Sequence, residues 1–387
     1  MTVVLGDYIK ESKERVLNST PPVLSVTNSS GFKAQQDYFA KSVHSKNISN
    51  YKIVKRGQFA YNPSRINVGS IDLLNNFDEG ALSPMYVVFE TDKELLLPEY
   101  LQYFTQTPAF TGMVKQNTAG TVRESLSFDG LSKFKLYLPT VSSQIKIIKT
   151  LEIIDKSISQ TKQILMQTEQ LKKGLMQHLL KVDTTEIDTV PLQSLLNGLK
   201  TGVSVGGEDR EMRNDDEVGV LKISAVTYLT FDPTKYKVVY GDQLHRVTRY
   251  AKEGTILVSR ANTPSLVGAS VYIDTDYPNL FLPDKLWELT VKDDVSPEWL
   301  NYVLQELYSK GVAGSLATGT SNSMLNISQS KYLNLAIPAI PYDEQCSIAN
   351  ILMMVDSKLN IYKKIKEQQL IIRKGLLQDL LTGKVLA

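Results

Sequence analysis

The chain has 387 residues, 42% hydrophobic and 22% charged, which argues against a disordered or fibrous protein and leaves room for two or more ordinary cores. A formal net charge of +2 argues against a protein that grips nucleic acid by bulk positive charge alone. One cysteine, Cys346, rules out an internal disulfide, and no run of 18 apolar residues offers a membrane span.

Taken in order, Met1 to Lys10 lacks a basic stretch followed by an apolar one, so a cytoplasmic location is expected. Asp7, Glu11 and Lys13 echo a nuclease carboxylate and lysine set, but on an expected helical turn they are ordinary surface charges. Gln58-Phe59-Ala60-Tyr61 and Met85-Tyr86-Val87-Val88-Phe89 read as strands, and Pro98-Glu99 opens a helix with proline at N1. Residues 143–180 hold no proline and read as one long helix. Gly202-Val203-Ser204-Val205-Gly206 matches a hydrolase nucleophile elbow, yet a charged loop from Glu208 to Glu217 follows where a helix is required. Strands are expected at Val218 to Ile223, Thr255 to Ser259 and Ser270 to Ile273. Pro297-Glu298 then opens a second short helix, and a second long helix closes the chain.

The chain is written twice. Lys173-Gly174-Leu175-Met176-Gln177-His178-Leu179-Leu180 recurs as Lys374-Gly375-Leu376-Leu377-Gln378-Asp379-Leu380-Leu381, 201 positions later. Gln144 and Gln345 keep that offset, as do Asp155 and Asp356, while Pro98 and Pro297 differ by 199. Four parts follow: globular domains over residues 1–141 and 182–340, and helices over 142–181 and 341–387. Within the first helix Ile147, Leu151, Ile154, Ile158 and Thr161 step by four and three, a coiled-coil seam that continues through Ile164, Thr168, Leu171, Leu175 and Leu179 after one irregular three-residue step. Ile348, Leu352, Val355, Leu359, Tyr362, Ile365, Gln369, Ile372, Leu376 and Leu380 repeat the pattern. The two helices are expected to pair with each other, antiparallel, relating the halves by a pseudo-twofold axis. The alternatives are packing of each helix on its own domain, or homodimerisation.

Charge is uneven: 15 basic against 13 acidic residues in 1–141, 7 against 3 in 142–181, 14 against 20 in 182–340 and 7 against 5 in 341–387. The chain lacks the Asn/Asp-Pro-Pro-aromatic motif of an adenine methyltransferase, lacks a phosphate-binding P-loop, and scatters its histidines at His44, His178 and His245, so neither catalysis nor a metal site is expected.

The duplicated helix ends, above all Arg373 to Lys384, resemble those of type I restriction-modification specificity (S) subunits, as do the Pro338-x-x-Pro341-x-x-x-Gln345 entry to the second helix and the Tyr61 to Ile71 segment. This resemblance implies an α+β fold, with two mixed α/β target-recognition domains separated by two long helices that pair as an antiparallel coiled coil. It implies a non-enzymatic chain that reads one half of a bipartite, asymmetric double-stranded DNA site with each domain. It also implies two modification (methyltransferase) and two restriction (motor-nuclease) partner subunits, which would carry S-adenosylmethionine, ATP and Mg; no cofactor is expected on the chain itself.

Base reading needs paired donors and acceptors, and Arg, Asn and Gln supply them. The candidate DNA-binding residues are Tyr61, Asn62, Arg65 and Asn67 after one strand, and Ser259, Arg260 and Asn262 after its duplicate. A second pair of loops adds Lys115, Thr121 and Arg123, and Thr320 and Asn322. Turn chemistry at Asn62-Pro63-Ser64 and pairing of Arg65 with Asp72 are the structural alternative. Ile147, Leu151, Ile154, Ile158, Leu175, Leu179, Ile348, Leu352, Val355, Leu359, Leu376 and Leu380 are the candidate helix-pair and partner interface. A coiled-coil scaffold that never binds DNA, and a serine hydrolase at Ser204, are the competing functions.

Overall fold

The computed structural model describes residues 1–16, 21–28, 30–35, 48–118, 125–182, 187–227, 230–318 and 324–385. They form two compact units, one of Met1–Gln163 with Lys363–Ala387 and one of Ile164–Tyr362.

In the first unit, Ile9–Ser12, Val87–Thr91, Phe59–Tyr61 and Ile71–Leu73 lie side by side in that order, every pairing antiparallel. Alternating apolar residues turn one face of this sheet toward the helix Pro98–Thr105. The rings of Phe59 and Phe89 stack at 5.0 Å between centroids, and Tyr100 and Phe104 complete the core. A short strand pair, Thr2–Val4 with Lys135–Tyr137, leads into the first long helix.

The second unit repeats this plan. Leu196–Thr201, Leu286–Val291, Ile256–Ser259 and Ser270–Tyr272 form the corresponding sheet, the helix Pro297–Ser309 covers it, and Thr189–Pro191 pairs with Ala336–Pro338. Differences lie outside this shared frame. The first unit adds the hairpin Leu24–Thr27 and Gly31–Ala34 and the pair Lys52–Lys55 and Glu79–Leu82. The second adds a sheet ordered Tyr236–Val238, Gly219–Leu221, Tyr277–Phe281, Tyr250–Ala251, in which Gly219–Leu221 and Tyr277–Phe281 run parallel. The N-terminal turn differs from expectation. Leu5–Tyr8 is one 3-10 turn and Glu11 lies on a sheet strand, because residues 9–12 pair with Val87–Thr91.

The long helices are Val141–Leu179 and Tyr342–Leu381. Each begins with a buried glutamine that ties it to its own domain. Gln144 accepts from the Leu97 amide (2.9 Å) and donates to the Leu95 and Pro139 carbonyls (2.8 and 3.0 Å). Gln345 accepts from the Ser296 amide and donates to the Ile340 carbonyl, both at 3.0 Å. These bonds hold the entry to the Pro98 and Pro297 helices and satisfy the Leu97 and Ser296 amides.

The helices run antiparallel in both units. In the first, Arg373 reaches Asp155 while Gln369 Nε2 donates to Ser157 Oγ (2.8 Å), so one number rises as the other falls. In the second, Lys172 pairs with Asp356 and Lys181 with Glu344. The ends of both helices also enter domain cores, Ile147, Leu151, Leu377 and Leu380 in the first unit and Met176, Leu180, Ile348 and Leu352 in the second. Helix pairing and packing on a domain, set against each other as alternatives, are both present.

The irregular step expected in the seam is absent. After Thr161 the buried positions are Leu165, Thr168 and then half-buried Lys172, an unbroken alternation of four and three, whereas Leu171 is 54% exposed. In the second helix Lys366 and Arg373 take the half-buried places while Ile365 and Ile372 face out. The reason is chemical. Lys172 and Arg373 lay aliphatic stems along the seam and deliver their charges to aspartates on the opposite helix.

Candidate nucleic-acid interface

In each unit the loop after the third strand of the shared sheet is built in the same place. Residues 62–70 join Phe59–Tyr61 to Ile71–Leu73, and residues 260–269 join Ile256–Ser259 to Ser270–Tyr272. Both loops carry, one residue before their end, a glycine in the left-handed region, Gly69 at φ 96° and Gly268 at φ 89°. A Cβ there would also crowd the Asn28 carbonyl (3.1 Å) or the Ala313 side chain (2.8 Å), so glycine is required twice over.

Side-chain orientation within these loops corrects several expectations. Tyr61 is fully buried, its hydroxyl donating to the Leu126 carbonyl (3.2 Å), so it braces the loop from beneath and has no face for DNA. Asn62 is buried and accepts from the Ser64 amide (3.1 Å), an Asx turn that shapes the backbone. Ser259 is fully buried, and its hydroxyl accepts from Asn262 Nδ2 (3.3 Å) while Asn262 Oδ1 accepts from the Thr263 amide (2.8 Å). Both side chains of that pair serve the loop itself.

Arg65 is exposed, and among the described residues no ion pair holds it. Asp72, its expected structural partner, instead accepts from Gln102 Nε2 (2.7 Å) and from the Leu73 amide (2.9 Å). Burial pushes the Asp72 carboxyl above the ordinary aspartate range, and these two hydrogen bonds pull it back only partly. Asn67 is half-buried in the turn Ile66–Val68. The helix Pro108–Thr118, which presents exposed Lys115, packs against that turn. In the second unit Arg260 is half-buried, and its Nε donates to the Asp284 carbonyl (2.7 Å).

The second pair of loops reaches the first through its flanks. The Leu126 amide donates to the Pro63 carbonyl (3.1 Å), and Leu325–Ile327 pairs with Ala261–Asn262. Thr121, Arg123, Thr320 and Asn322 lie outside the described residues.

Of the expected helix interface, Ile147, Leu151, Ile158, Ile348, Leu352, Leu359 and Leu380 are buried and Ile154, Leu175, Leu179, Val355 and Leu376 half-buried. The buried ones are taken up within the chain. The free apolar surface is elsewhere: Ile153 is 70% exposed and its duplicate Met354 73%, and Leu171 and its duplicate Ile372 are exposed to nearly the same extent. The signal for them in the sequence is an apolar residue at both members of a duplicated pair.

Sequence reasoning also passed over Tyr240 to Arg246. Here Tyr240 and Leu244 are large exposed apolar side chains, and His245 and Arg246 are exposed beside them. No strand or helix periodicity marks such a loop. The Ser204 segment runs from the strand Leu196–Thr201 through residues 202–207, which are neither strand nor helix, to a bridge at Glu208 and Val238, without the helix after the turn that a nucleophile elbow needs. Among the described residues no helix is long and apolar enough to cross a membrane, and no group of three His, Cys, Asp or Glu side chains could hold a metal ion.

The type I restriction modification DNA specificity domain model matches residues 66–170. The type I restriction enzyme MjaVIII specificity subunit of Methanocaldococcus jannaschii is 25% identical over 323 residues, 79% of this chain and 75% of that protein. Among solved structures, the S subunit of a type I restriction-modification system from M. genitalium superposes with a TM-score of 0.59 at 13% identity, covering 98% of this chain and 96% of that one. A chain from a study of complex assembly and conformational transition of the type I R-M system gives 0.57 at 16% identity, covering 100% and 98%. At such identities these likenesses carry the fold.

Proposed function

We propose that the chain is a specificity subunit of a type I restriction-modification system and that it reads a bipartite, asymmetric double-stranded DNA site, one half-site with each globular domain. As a specificity subunit it is a non-catalytic member of its complex. The observation that carries the reading is the duplicated loop. One frame presents residues 62–70 and 260–269 at the same place with different side chains, Arg65 exposed in one and Arg260 half-buried in the other. Two reading surfaces of one design and different chemistry suit two unlike half-sites.

The paired helices set the spacer between the half-sites. A helix of 39 residues extends roughly 58 Å at 1.5 Å per residue. Half-sites one DNA turn apart, roughly 34–36 Å, fall within that length. Two modification subunits and two restriction subunits complete the complex in the cytoplasm, and they carry S-adenosylmethionine, ATP and Mg. Duplicated exposed apolar residues, Ile153 with Met354 and Leu171 with Ile372, support two equivalent docking places for two copies of one partner. The modest net charge of +2 fits partners that supply much of the phosphate contact.

Sequencing adenine methylation in host DNA with and without the gene tests this. A two-part motif with a fixed spacer should vanish on deletion. An unchanged methylation pattern would leave the scaffold reading instead.

A further inference from the structure

Arg246 lies in the 3-10 segment Gly241–Arg246 of the second unit, exposed but not loose. Its Nη1 donates to Gln243 Oε1 (2.8 Å) and its Nη2 to the Ser204 carbonyl (2.9 Å). These two bonds fix the plane of the guanidinium, and among the described residues no further partner takes its remaining N–H groups. A guanidinium held at a set angle can present its fork to a guanine edge as well as to a phosphate, and only the base edge carries sequence.

The segment is joined to the loop of residues 260–269, proposed above as a reading surface. Val203, beside Ser204, donates its amide to the Leu282 carbonyl (3.1 Å), and the Leu282 amide donates to the Arg249 carbonyl (2.8 Å). Two residues on, the Asp284 carbonyl accepts from Arg260 Nε. Residues 282–285 therefore connect, through hydrogen bonds, the segment at Ser204 that holds Arg246 with Arg249 and Arg260. The acidic groups of these segments are Asp242, Asp284 and the buried Glu288, which lies 3.9 Å from Arg249. Tyr240 and Leu244 add exposed apolar groups on the same segment. Apolar contact of that kind suits a thymine methyl in the major groove and gains nothing from phosphate.

We propose that Tyr240–Arg246 is a base-reading element of the second recognition domain, with Arg246 donating to the acceptor edge of a guanine in the major groove. This inference rests on the chain being a DNA-recognition subunit and names the residue and base class for one half-site.

The test uses the full chain assembled with its modification partner and a duplex carrying its methylated site. Each guanine of the half-site read by the second domain is replaced in turn by 7-deazaguanine, which lacks the N7 acceptor. Wild type should lose about tenfold in affinity at one guanine. Arg246→Ala should bind the intact site about tenfold more weakly and no longer respond to that replacement, while keeping its discrimination at the other half-site. Arg246→Gln, a polar side chain whose amide is matched to adenine instead of guanine, should also lose the response. Matching thermal melts exclude misfolding, and a poorly folded Arg246→Ala leaves Arg246→Gln to decide.

Equal weakening of Arg246→Ala on every duplex would make this a backbone contact and overturn the proposal. Unaltered DNA reading with weaker complex assembly would make it a protein contact and overturn it as well. A half-site without a responsive guanine does the same. A wild-type complex with no sequence preference would instead bring down the DNA-recognition reading itself.

Discussion

Asp155 takes its charge partner from the opposite long helix, where Arg373 Nε donates to Asp155 Oδ1 at 2.5 Å. Lys172 and Asp356 repeat the contact in the second unit at 2.6 Å, and 201 positions separate the members of each duplicated pair. A tyrosine completes both sites: Tyr103 donates to Asp155 (3.2 Å) and Tyr302 to Asp356 (2.7 Å). Next to these carboxylates both phenols are pushed well above the ordinary tyrosine range, with burial the larger cause. A charged pair in an apolar seam is weak evidence for stability but strong evidence for register, since only one alignment satisfies it.

Asp356→Ala therefore strands Lys172 and the Tyr302 hydroxyl together. We expect a loss of about 1–2 kcal/mol, below the value for a fully buried pair because both partners keep some contact with water. Asp356→Asn, which retains an acceptor, should lose less. Urea denaturation of the two variants checks the order, and equal losses would assign the whole effect to the charge and none to the retained acceptor.

The phase of the seam yields a sharper contrast. Leu165 is 8% exposed and Leu171 is 54% exposed, although an apolar spacing pattern alone favours position 171. Leu165→Ala should cost about 2–3 kcal/mol and Leu171→Ala under about 0.5 kcal/mol in the isolated chain. Denaturation midpoints measured side by side would show it, and the reverse order would restore the irregular step.

The same residues show what the sequence could and could not reveal. The duplicated frame was legible because Gln144, Asp155 and the Lys173 to Leu180 segment recur at one offset, and a repeat needs no energetics to be seen. The seam beyond Thr161 was not, because a lysine stem and a leucine compete for one position and only an aspartate from the other helix decides between them. In the loops, place was legible and direction was not. Tyr61 and Ser259 carry hydrogen-bonding groups at the right positions, yet sheet alternation turns both inward. Tyr240 to Arg246 was invisible for a third reason, since its fixed guanidinium depends on Ser204, far away in sequence.

Asp72 provides a prediction with a pH signature. Its Oδ1 accepts from Gln102 and the Leu73 amide, and its Oδ2 occupies space that exists because Gly31 has no side chain, a Cβ there standing 1.9 Å away. Burial raises its pKa, so the folded state holds the proton more tightly than the unfolded chain. Stability is then lost as pH rises from the unfolded pKa through the folded one, and the penalty stays in force above it. Asp72→Asn keeps the Oδ1 acceptor and removes the charge, so it should be more stable than wild type at pH 7. The advantage should close as pH falls below the ordinary aspartate value of 3.8. Stability curves at several pH values test this, and a constant difference would assign the effect to packing.

Arg65 carries the last prediction, on function. It stands exposed at the tip of residues 62–70, on a turn fixed by the Asn62 side chain, by the Arg65 amide donating to the Asn62 carbonyl (3.0 Å), and by Gly69. None of these constraints uses the guanidinium, so Arg65→Ala should leave folding unchanged within about 0.5 kcal/mol. Its effect should fall on one half-site only. A lost base contact costs about 1–3 kcal/mol on the preferred sequence and little on duplexes already changed at that base. A lost phosphate contact weakens every duplex alike and lowers the dependence of binding on salt. Titrating wild type and Arg65→Ala against duplexes altered in either half-site, at two salt concentrations, separates the two. We expect selective loss in the half-site read by the first domain, with discrimination at the other preserved; uniform loss with a shallower salt slope would move Arg65 to the backbone.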